Sequence, residues 1–292
     1  MRLILIIFLF SFSFCGYPQG VDYYKTGVGF YELIGQSNCL GNELIASVPL
    51  DISTSIHNIH VYENNSGAWQ TLLLGSNNSG DIPLVTGRYG IEGRLFQLLR
   101  DYYNADQYFV KTARGGSGLA IGSSASTGSL DWNQTLSSQM WSRSMTARNS
   151  AIASLNPNVK FKARIWIQGE QDATSSTFAN AYQSNEIAFV NALVTNIPFI
   201  DFSLSNNQTS LNTTHRNAIN TAKKNTSSII YTVSTGLFTF QSGGVTIPNK
   251  VYIEQNEPVT SDNLHYSAIG YEKLAEHAFK VIKFLNNRSV NN

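Results

Sequence analysis

The sequence has little charge and no excess of either sign. Charged side chains make up 13% of the 292 residues, and the formal net charge is +1. Nucleic acid is therefore not an expected partner, because binding to a phosphate backbone requires a concentration of Lys and Arg. Hydrophobic residues make up 42% of the chain and aromatic residues 12%, which is enough to bury a full core and argues against disorder.

Cysteine is almost absent from the chain. The sequence contains Cys15 and Cys39 and no other cysteine. If Cys15 is removed with an N-terminal leader, one thiol remains, so no intramolecular disulfide can stabilise the mature protein. The stability of the fold must then come from its hydrophobic core.

Long apolar runs are also scarce, and the clearest one lies at the N-terminus. Arg2 precedes an apolar run from Leu3 that reaches Phe14, which is typical of a secretory signal. A membrane-spanning helix needs about 20 apolar residues, so no stable membrane span is expected. We predict a signal peptide over residues 1–20, cleaved between Cys15 and Gly20, and a secreted, periplasmic or extracellular protein. Lipid anchoring at Cys15 is the alternative, which Phe14 disfavours because such signals carry a small residue there.

The pattern of residues 21–292 predicts a single domain of the α/β class. Apolar strands are expected at residues 27–34, 108–112, 161–167, 199–204 and 229–233. Helical patterns lie between or after them, at residues 95–102, 130–155, 178–193, 214–225 and 274–285. This alternation predicts a three-layer αβα sandwich with a central parallel sheet of about five strands. The Asn-rich and Gly-rich stretch at 47–81 is expected to be a strand-rich insertion.

Polar motifs follow the first three predicted strands, and a fourth precedes the last helix. They are Gly-Gln-Ser-Asn at 35–38, Gly-Gly-Ser-Gly at 115–118, Gln-Gly-Glu-Gln-Asp at 168–172 and Asp-Asn-Leu-His at 262–265. In a parallel sheet, reactive groups gather beyond the carboxyl ends of the strands. Each motif alone has an ordinary interpretation as a turn, a helix cap or a surface pair, so their combination is what points to chemistry.

The residue types in these motifs suit acyl transfer. An Asp and a His three residues apart can pair through one imidazole nitrogen, which leaves the other nitrogen free as a general base. A serine at the end of a strand can present its hydroxyl to a cleft. Glycine N–H groups and a glutamine amide are suitable donors to a developing oxyanion.

In this order the four motifs resemble those of the SGNH hydrolase superfamily, and within it the sialate O-acetylesterase and acetylxylan esterase-like branch, carbohydrate esterase family 6. The resemblance covers residues 27–278. It implies an SGNH or flavodoxin-like fold with Ser37 as nucleophile, His265 as base and Asp262 as its orienting carboxylate. It also implies that the oxyanion donors are the N–H groups of Ser37 and Gly116 and the side chain of Gln168.

Two positions depart from the family pattern. Relatives usually have Gly-Pro-Glu where this chain has Gly-Ile-Glu at 90–92, a change expected to affect loop stiffness and not chemistry. Ser117-Gly118 replaces a common Thr-Ser pair, which leaves open whether Gly115 or Gly116 supplies the second oxyanion N–H.

The resemblance implies a secreted carbohydrate O-acetylesterase that acts on xylan or sialic acid substrates through a serine acyl-enzyme and needs no cofactor. A metal site built from Glu170, Asp172, Asp262 and His265 matches no established ligand spacing. The alternatives are a lipase or thioesterase and a non-catalytic carbohydrate-binding module. The α/β-hydrolase version of the lipase is disfavoured because the chain has no Gly-x-Ser-x-Gly motif. The presence of all the catalytic residue types together disfavours the binding module.

Overall fold

The structure is a computed structural model that describes residues 27–78, 80, 86–125, 130–193, 196–234, 237–243 and 247–288. The predicted signal peptide at 1–20, and with it Cys15, lies outside the described residues. The helices and strands are, in chain order, β1 (Gly29–Gly35), α1 (Ser37–Leu40), β2 (Glu43–Leu44), β3 (Ser55–Glu63), β4 (Ala68–Leu73), β5 (Arg88–Tyr89), α2 (Glu92–Tyr103), β6 (Gln107–Ala113), α3 (Met140–Ala153), β7 (Lys160–Ile167), α4 (Ser176–Ala192), β8 (Phe199–Phe202), α5 (Thr213–Thr226), β9 (Ser227–Ser234), β10 (Leu237–Ser242), β11 (Ile247–Glu254) and α6 (Ala268–Arg288).

A large central sheet organises the fold, which confirms the α/β class. Its strand order is β10-β9-β11-β8-β7-β1-β6-β3-β4. The two edge strands, β10 and β4, pair antiparallel with their neighbours, and the strands between them run parallel. Each predicted strand overlaps an observed one, but the predicted number of about five was too low, since the sheet has nine strands.

The additional strands of the sheet have identifiable causes. β3 and β4 lie in the stretch 47–81, where strands were expected as an insertion, but β3 pairs in parallel with β6, so these strands extend the main sheet. β11 lies between β9 and β8 in the parallel part of the sheet. Lys250 interrupts its apolar pattern, yet it is fully buried because it pairs with Glu186 and Asp201.

Helices cover both faces of the sheet. On one face, Leu33 of β1 shares a core cluster with residues of α2 and α6 such as Leu95 and Leu274. On the other face, Ile34 shares a second cluster with residues of α4 and α5 such as Tyr182 and Ile219. This is the alternation expected of a strand buried on both sides.

The helix predicted at 130–155 begins later than expected, at Met140. Residues 130–139 instead form a loop. This loop is held by hydrogen bonds between Asp131 and backbone N–H groups of the preceding segment, which take the place of the hydrogen bonds within a helix. The Asp131 carboxylate accepts hydrogen bonds from the N–H groups of Gly122 and Ser124, at 2.7 and 3.1 Å. Its own N–H donates to the side chain of Gln139. The apolar residues that suggested a helix, including Trp132, are buried from within this loop.

The strand order determines where the motifs meet. β1 lies between β7 and β6, so the motifs that follow these three strands emerge side by side at one edge of the sheet. The segment between β11 and α6 carries the fourth motif. Within the described part of the chain, no helix has the length and apolar character needed to cross a membrane.

Candidate active site

A cleft of about 480 Å³ lies at the carboxyl edge of the sheet. Its lining includes residues from all four predicted motifs, namely Gln36, Ser37, Gly116, Glu170 and His265. Residues that are far apart in the sequence therefore line one cavity, as expected for an open parallel sheet.

The close approach of β1 and β7 fixes the position of Ser37. Gly35, the last residue of β1, has a φ of +150°, and a Cβ atom there would lie 2.0 Å from the carbonyl oxygen of Ile167. Glycine is therefore required at this position. The Gln36 N–H donates to the same carbonyl at 3.0 Å, and Ser37 then begins the single turn of α1. The end of β7 thus holds the backbone on which Ser37 is mounted.

His265 is oriented by Asp262. The His265 Nδ1 group donates to Asp262 Oδ2 at 2.6 Å, which leaves Nε2 free of the carboxylate. Asp262 Oδ1 accepts from the N–H groups of Leu264 and His265, at 2.9 Å each, and from the Thr260 hydroxyl at 2.7 Å. Partial burial acts to raise the pKa of Asp262, but these hydrogen bonds outweigh it and hold the pKa well below its usual range. The carboxylate therefore stays ionised and can orient the imidazole.

Glu170 joins two side chains from different loops. Its Oε1 atom accepts a hydrogen bond from Asn38 Nδ2 at 2.6 Å and another from Gln208 Nε2 at 3.1 Å. All three side chains are buried. We refer to Asn38, Glu170 and Gln208 as the clamp.

The clamp also reaches the loop that carries the base. Asn38 Nδ2 and Gln208 Nε2 both donate to the carbonyl of Leu264, at 3.3 and 2.8 Å. Asn38 directly follows Ser37, and Leu264 directly precedes His265. The clamp therefore connects the backbone of the candidate nucleophile to the backbone of the candidate base. No motif in the sequence indicates this role for Gln208.

Residues that line the cleft near Ser37 carry backbone N–H groups without a hydrogen-bond partner among the described residues. Among the described residues, the N–H groups of Ser37 and Gly116 donate to no other group. Gly116 has a φ of +68°, which favours glycine. Gly115 is also close, since a Cβ atom built on it would lie 3.9 Å from Cβ of Ser37. Both glycines line the cleft, so the choice between them stays open.

The structure does not place the Gln168 amide at the cleft, and its assignment as an oxyanion donor is corrected. Gln168 Nε2 donates to Asp172 Oδ2 at 2.6 Å and to the Ser117 carbonyl at 3.4 Å. Its Oε1 accepts from the Tyr182 hydroxyl at 2.9 Å. The side chain is 1% exposed, so the amide is used inside the protein to hold loops together.

The side chain of Gln36 belongs to a residue that lines the cleft, whereas Gln168 does not line it. Gln36 Oε1 accepts from the N–H groups of Gly169 and Gln171, at 3.3 and 3.1 Å. These bonds fix the amide plane, and its NH₂ group has no hydrogen-bond partner among the described residues. Because Gln36 lines the cleft beside Ser37, this NH₂ is a suitable side-chain donor. The sequence does not reveal which of several neighbouring glutamines turns toward the cleft.

Comparison with known families identifies the chain. The model of a family described as "Carbohydrate esterase, sialic acid-specific acetylesterase" matches residues 28–282. The chain belongs to this family. The matched span contains every residue assigned above to the nucleophile, the base and the clamp. A search of curated protein sequences gave no match.

Two solved structures share the fold of this esterase family member. A protein from Arabidopsis thaliana is 16% identical with a TM-score of 0.63, and the alignment covers 88% of this chain and 98% of that one. The structure titled "Crystal structure of NanS" is 14% identical with a TM-score of 0.64, covering 89% and 98% of the two chains. At these identities the likeness shows a common architecture, the mostly parallel sheet between helices.

Asp172 holds the loop that follows β6 in this carbohydrate esterase. Its carboxylate accepts from the N–H groups of Leu119 and Ala120, at 2.8 and 3.0 Å, as well as from the Gln168 amide. Burial raises the pKa of Asp172, although these hydrogen bonds oppose the shift.

The described residues contain no candidate metal site, because no three His, Cys, Asp or Glu side chains lie close enough together to bind one ion.

Proposed function

We propose that this protein is a serine O-acetylesterase that removes acetyl groups from carbohydrate. The observation that carries the proposal is the placement of Ser37 and an Asp262-oriented His265 around one cleft, in a chain of a carbohydrate esterase family. The family description favours sialic acid over xylan as the sugar that carries the acetyl group.

The first half of the reaction forms an acyl-enzyme. His265 Nε2 takes the proton of the Ser37 hydroxyl as Oγ bonds to the ester carbonyl carbon, and the carbonyl oxygen becomes an oxyanion. The N–H groups of Ser37 and Gly116 and the Gln36 NH₂ donate to that oxygen. When the intermediate collapses, the bond to the sugar oxygen breaks, and His265 returns its proton to the departing sugar hydroxyl.

The second half frees the enzyme. Water enters the cleft, gives a proton to His265 Nε2 and attacks the acetyl carbonyl carbon. The same donors stabilise the second oxyanion. Collapse breaks the bond to Ser37 Oγ, which regains a proton from His265, and acetic acid leaves and loses its proton to water. Asp262 remains ionised throughout and stabilises the imidazolium each time it forms.

The composition of the cleft favours a sugar ester over a long acyl chain. Its apolar lining consists of Leu40, Leu211 and Leu264, and the remaining described lining residues are polar or glycine. A small acetyl group needs little apolar surface, whereas an octanoyl chain would need a continuous apolar channel. We therefore expect acetate esters to be hydrolysed much faster than octanoate esters.

The test is an assay of the purified protein on O-acetylated sialic acid, acetylated xylan fragments, p-nitrophenyl acetate and p-nitrophenyl octanoate. We expect acetate release from O-acetylated sialic acid and a strong preference for acetate over octanoate. A preference for octanoate would favour the lipase alternative. Absence of hydrolysis of every ester would overturn the proposal.

Secretion remains a proposal that rests on the sequence of residues 1–20. N-terminal sequencing of protein recovered outside the cytoplasm of an expression host tests it. A new N-terminus between residues 16 and 21 is expected, and an intact Met1 on all the protein would contradict it.

A further inference from the structure

One carboxylate oxygen of Glu170 accepts hydrogen bonds, and the other has no hydrogen-bond partner. Oε1 accepts from Asn38 and Gln208, as described above. Oε2 is buried and has no hydrogen-bond partner. The side chain is 2% exposed and belongs to the lining of the cleft that contains Ser37 and His265.

An unpartnered carboxylate oxygen in a buried position is unfavourable, because it has lost water without gaining a donor. The two donors on Oε1 hold the carboxylate in place, so it cannot turn this oxygen toward bulk solvent without breaking the clamp. A molecule that enters the cleft with a hydroxyl group can supply the missing donor. Such a hydrogen bond to a charged acceptor is among the stronger ones in proteins.

We propose that Glu170 Oε2 is a substrate-recognition group that accepts a hydrogen bond from a free hydroxyl on the sugar ring that carries the ester. This inference rests on the proposed function. It names the substrate class more narrowly, as partially acetylated sugars that keep a free ring hydroxyl within reach of the ester. Fully acetylated sugars and simple aryl acetates lack that donor and forgo the interaction.

Glu170→Gln separates recognition from the structural role of the clamp. The glutamine carbonyl oxygen can replace Oε1 and accept from Asn38 and Gln208. Its NH₂ group then takes the place of Oε2, so an acceptor becomes a donor. The clamp is kept while the proposed recognition is lost.

Gln208→Met is the matched control. It removes a donor to the other oxygen, Oε1, and to the Leu264 carbonyl, but it leaves Glu170 Oε2 as an acceptor. We expect it to lower kcat/KM for all esters by a common factor, because it loosens the link between nucleophile and base.

The substrates are monoacetylated methyl glycosides of sialic acid and of xylose, each with analogues in which one free ring hydroxyl at a time is replaced by hydrogen. For the parent protein, removal of one particular hydroxyl is expected to lower kcat/KM on the order of tenfold to a hundredfold. For Glu170→Gln that preference should disappear, and for Gln208→Met it should persist. p-Nitrophenyl acetate reports the common effect of each variant on the chemistry.

The outcomes distinguish this inference from the proposed function. If the parent hydrolyses the aryl acetate but neither glycoside, the proposed function is wrong and this inference falls with it. If the parent hydrolyses a glycoside but prefers no hydroxyl, or if Glu170→Gln keeps the preference, this inference alone is wrong. Equal loss of the preference in Gln208→Met would mean that general loosening of the cleft, and not Oε2, explains the effect.

Discussion

Two buried polar regions of this protein each contain a carboxylate group, but only one of them lies beside the cleft. One is the clamp beside the cleft. The other is an ion cluster of Glu186, Asp201, Lys223 and Lys250, all fully buried between the sheet and helices α4 and α5. Within it, Lys223 lies 2.7 Å from Asp201, and Lys250 lies 2.5 Å from Glu186 and 3.0 Å from Asp201.

Each region contains carboxylate oxygens without a hydrogen-bond partner. They are Oε2 of Glu170 in the clamp, and Oε1 of Glu186 and Oδ2 of Asp201 in the ion cluster. Glu170 lines a cavity, so a substrate can supply its missing donor. Glu186 does not line the cleft, and burial raises its pKa to about 7, although Lys250 opposes the shift. A proton on Glu186 can therefore provide a donor within the ion cluster, with no ligand required. Changes there should affect stability, and changes at the cleft should affect rate.

Asp262→Asn should have the largest effect on rate among the following variants. An amide cannot stabilise the imidazolium, and it favours the wrong imidazole tautomer, so kcat should fall on the order of a thousandfold to ten-thousandfold. The melting temperature should change less than the rate, because the carbonyl oxygen of Asn can still accept the hydrogen bonds that Thr260, Leu264 and His265 donate to Oδ1. Measurement of both quantities on one preparation checks this, and a rate close to that of the parent would remove Asp262 from the catalytic site.

Gln36→Glu tests the side-chain oxyanion donor. The carboxylate keeps an acceptor for the N–H groups of Gly169 and Gln171 but replaces the NH₂ that faces the cleft with an oxygen. Loss of one such donor costs on the order of a hundredfold to a thousandfold in kcat. Gln168→Ala is the comparison, since loss of its internal hydrogen bonds should lower the melting temperature while the folded fraction keeps its rate. The reverse result for the two variants would restore Gln168 as the donor.

Lys250→Met tests whether the ion cluster stabilises the fold without taking part in the reaction. Removal of one partner leaves Glu186 and Asp201 buried with less compensation, a change that typically costs about 3–5 kcal/mol in the free energy of unfolding. The rate per folded molecule should change far less than in the two cleft variants. Denaturant unfolding and an esterase assay at low temperature provide the two readouts. A large loss of rate at unchanged stability would show that the ion cluster takes part in the chemistry.

A smaller effect is expected from the pH dependence of stability. Because the pKa of Glu186 is raised from 4.5 to about 7, the folded state binds this proton more tightly than the unfolded state. Its stabilising contribution is therefore fully present below an ordinary carboxyl pKa and is lost as the pH rises through about 7. Glu186→Gln should flatten the fall in the free energy of unfolding between these pH values. An unchanged slope in the variant would contradict the assignment.

The sequence predicted those parts of the molecule that follow simple patterns. Apolar strands that end in short polar motifs, such as β1 and β7, were found, and the order of the motifs indicated the esterase family. β11 was missed because Lys250, a charged residue in its centre, is buried with partners that come from other segments. The start of α3 was misplaced because Asp131 binds backbone N–H groups nearby.

Within the site, the sequence could indicate residue types but not side-chain directions. Gln36 and Gln168 both follow apolar strands, and either amide is chemically suited to bind an oxyanion. Their roles depend on the partners that the fold supplies, Asp172 and Tyr182 for Gln168 and backbone N–H groups for Gln36. Such partners come from separate loops and become visible only when the strands are placed in order.

The most direct test of the account is to locate the acetyl group during turnover. The protein is mixed with O-acetylated sialic acid or p-nitrophenyl acetate, quenched in acid within the first turnovers, digested and examined by mass spectrometry, with Ser37→Ala as the control. We expect an acetylated peptide whose modified residue is Ser37 for the parent protein, and neither that peptide nor turnover for the control. Turnover by Ser37→Ala near the parent rate, or acetyl found on a different residue during parent turnover, would contradict it.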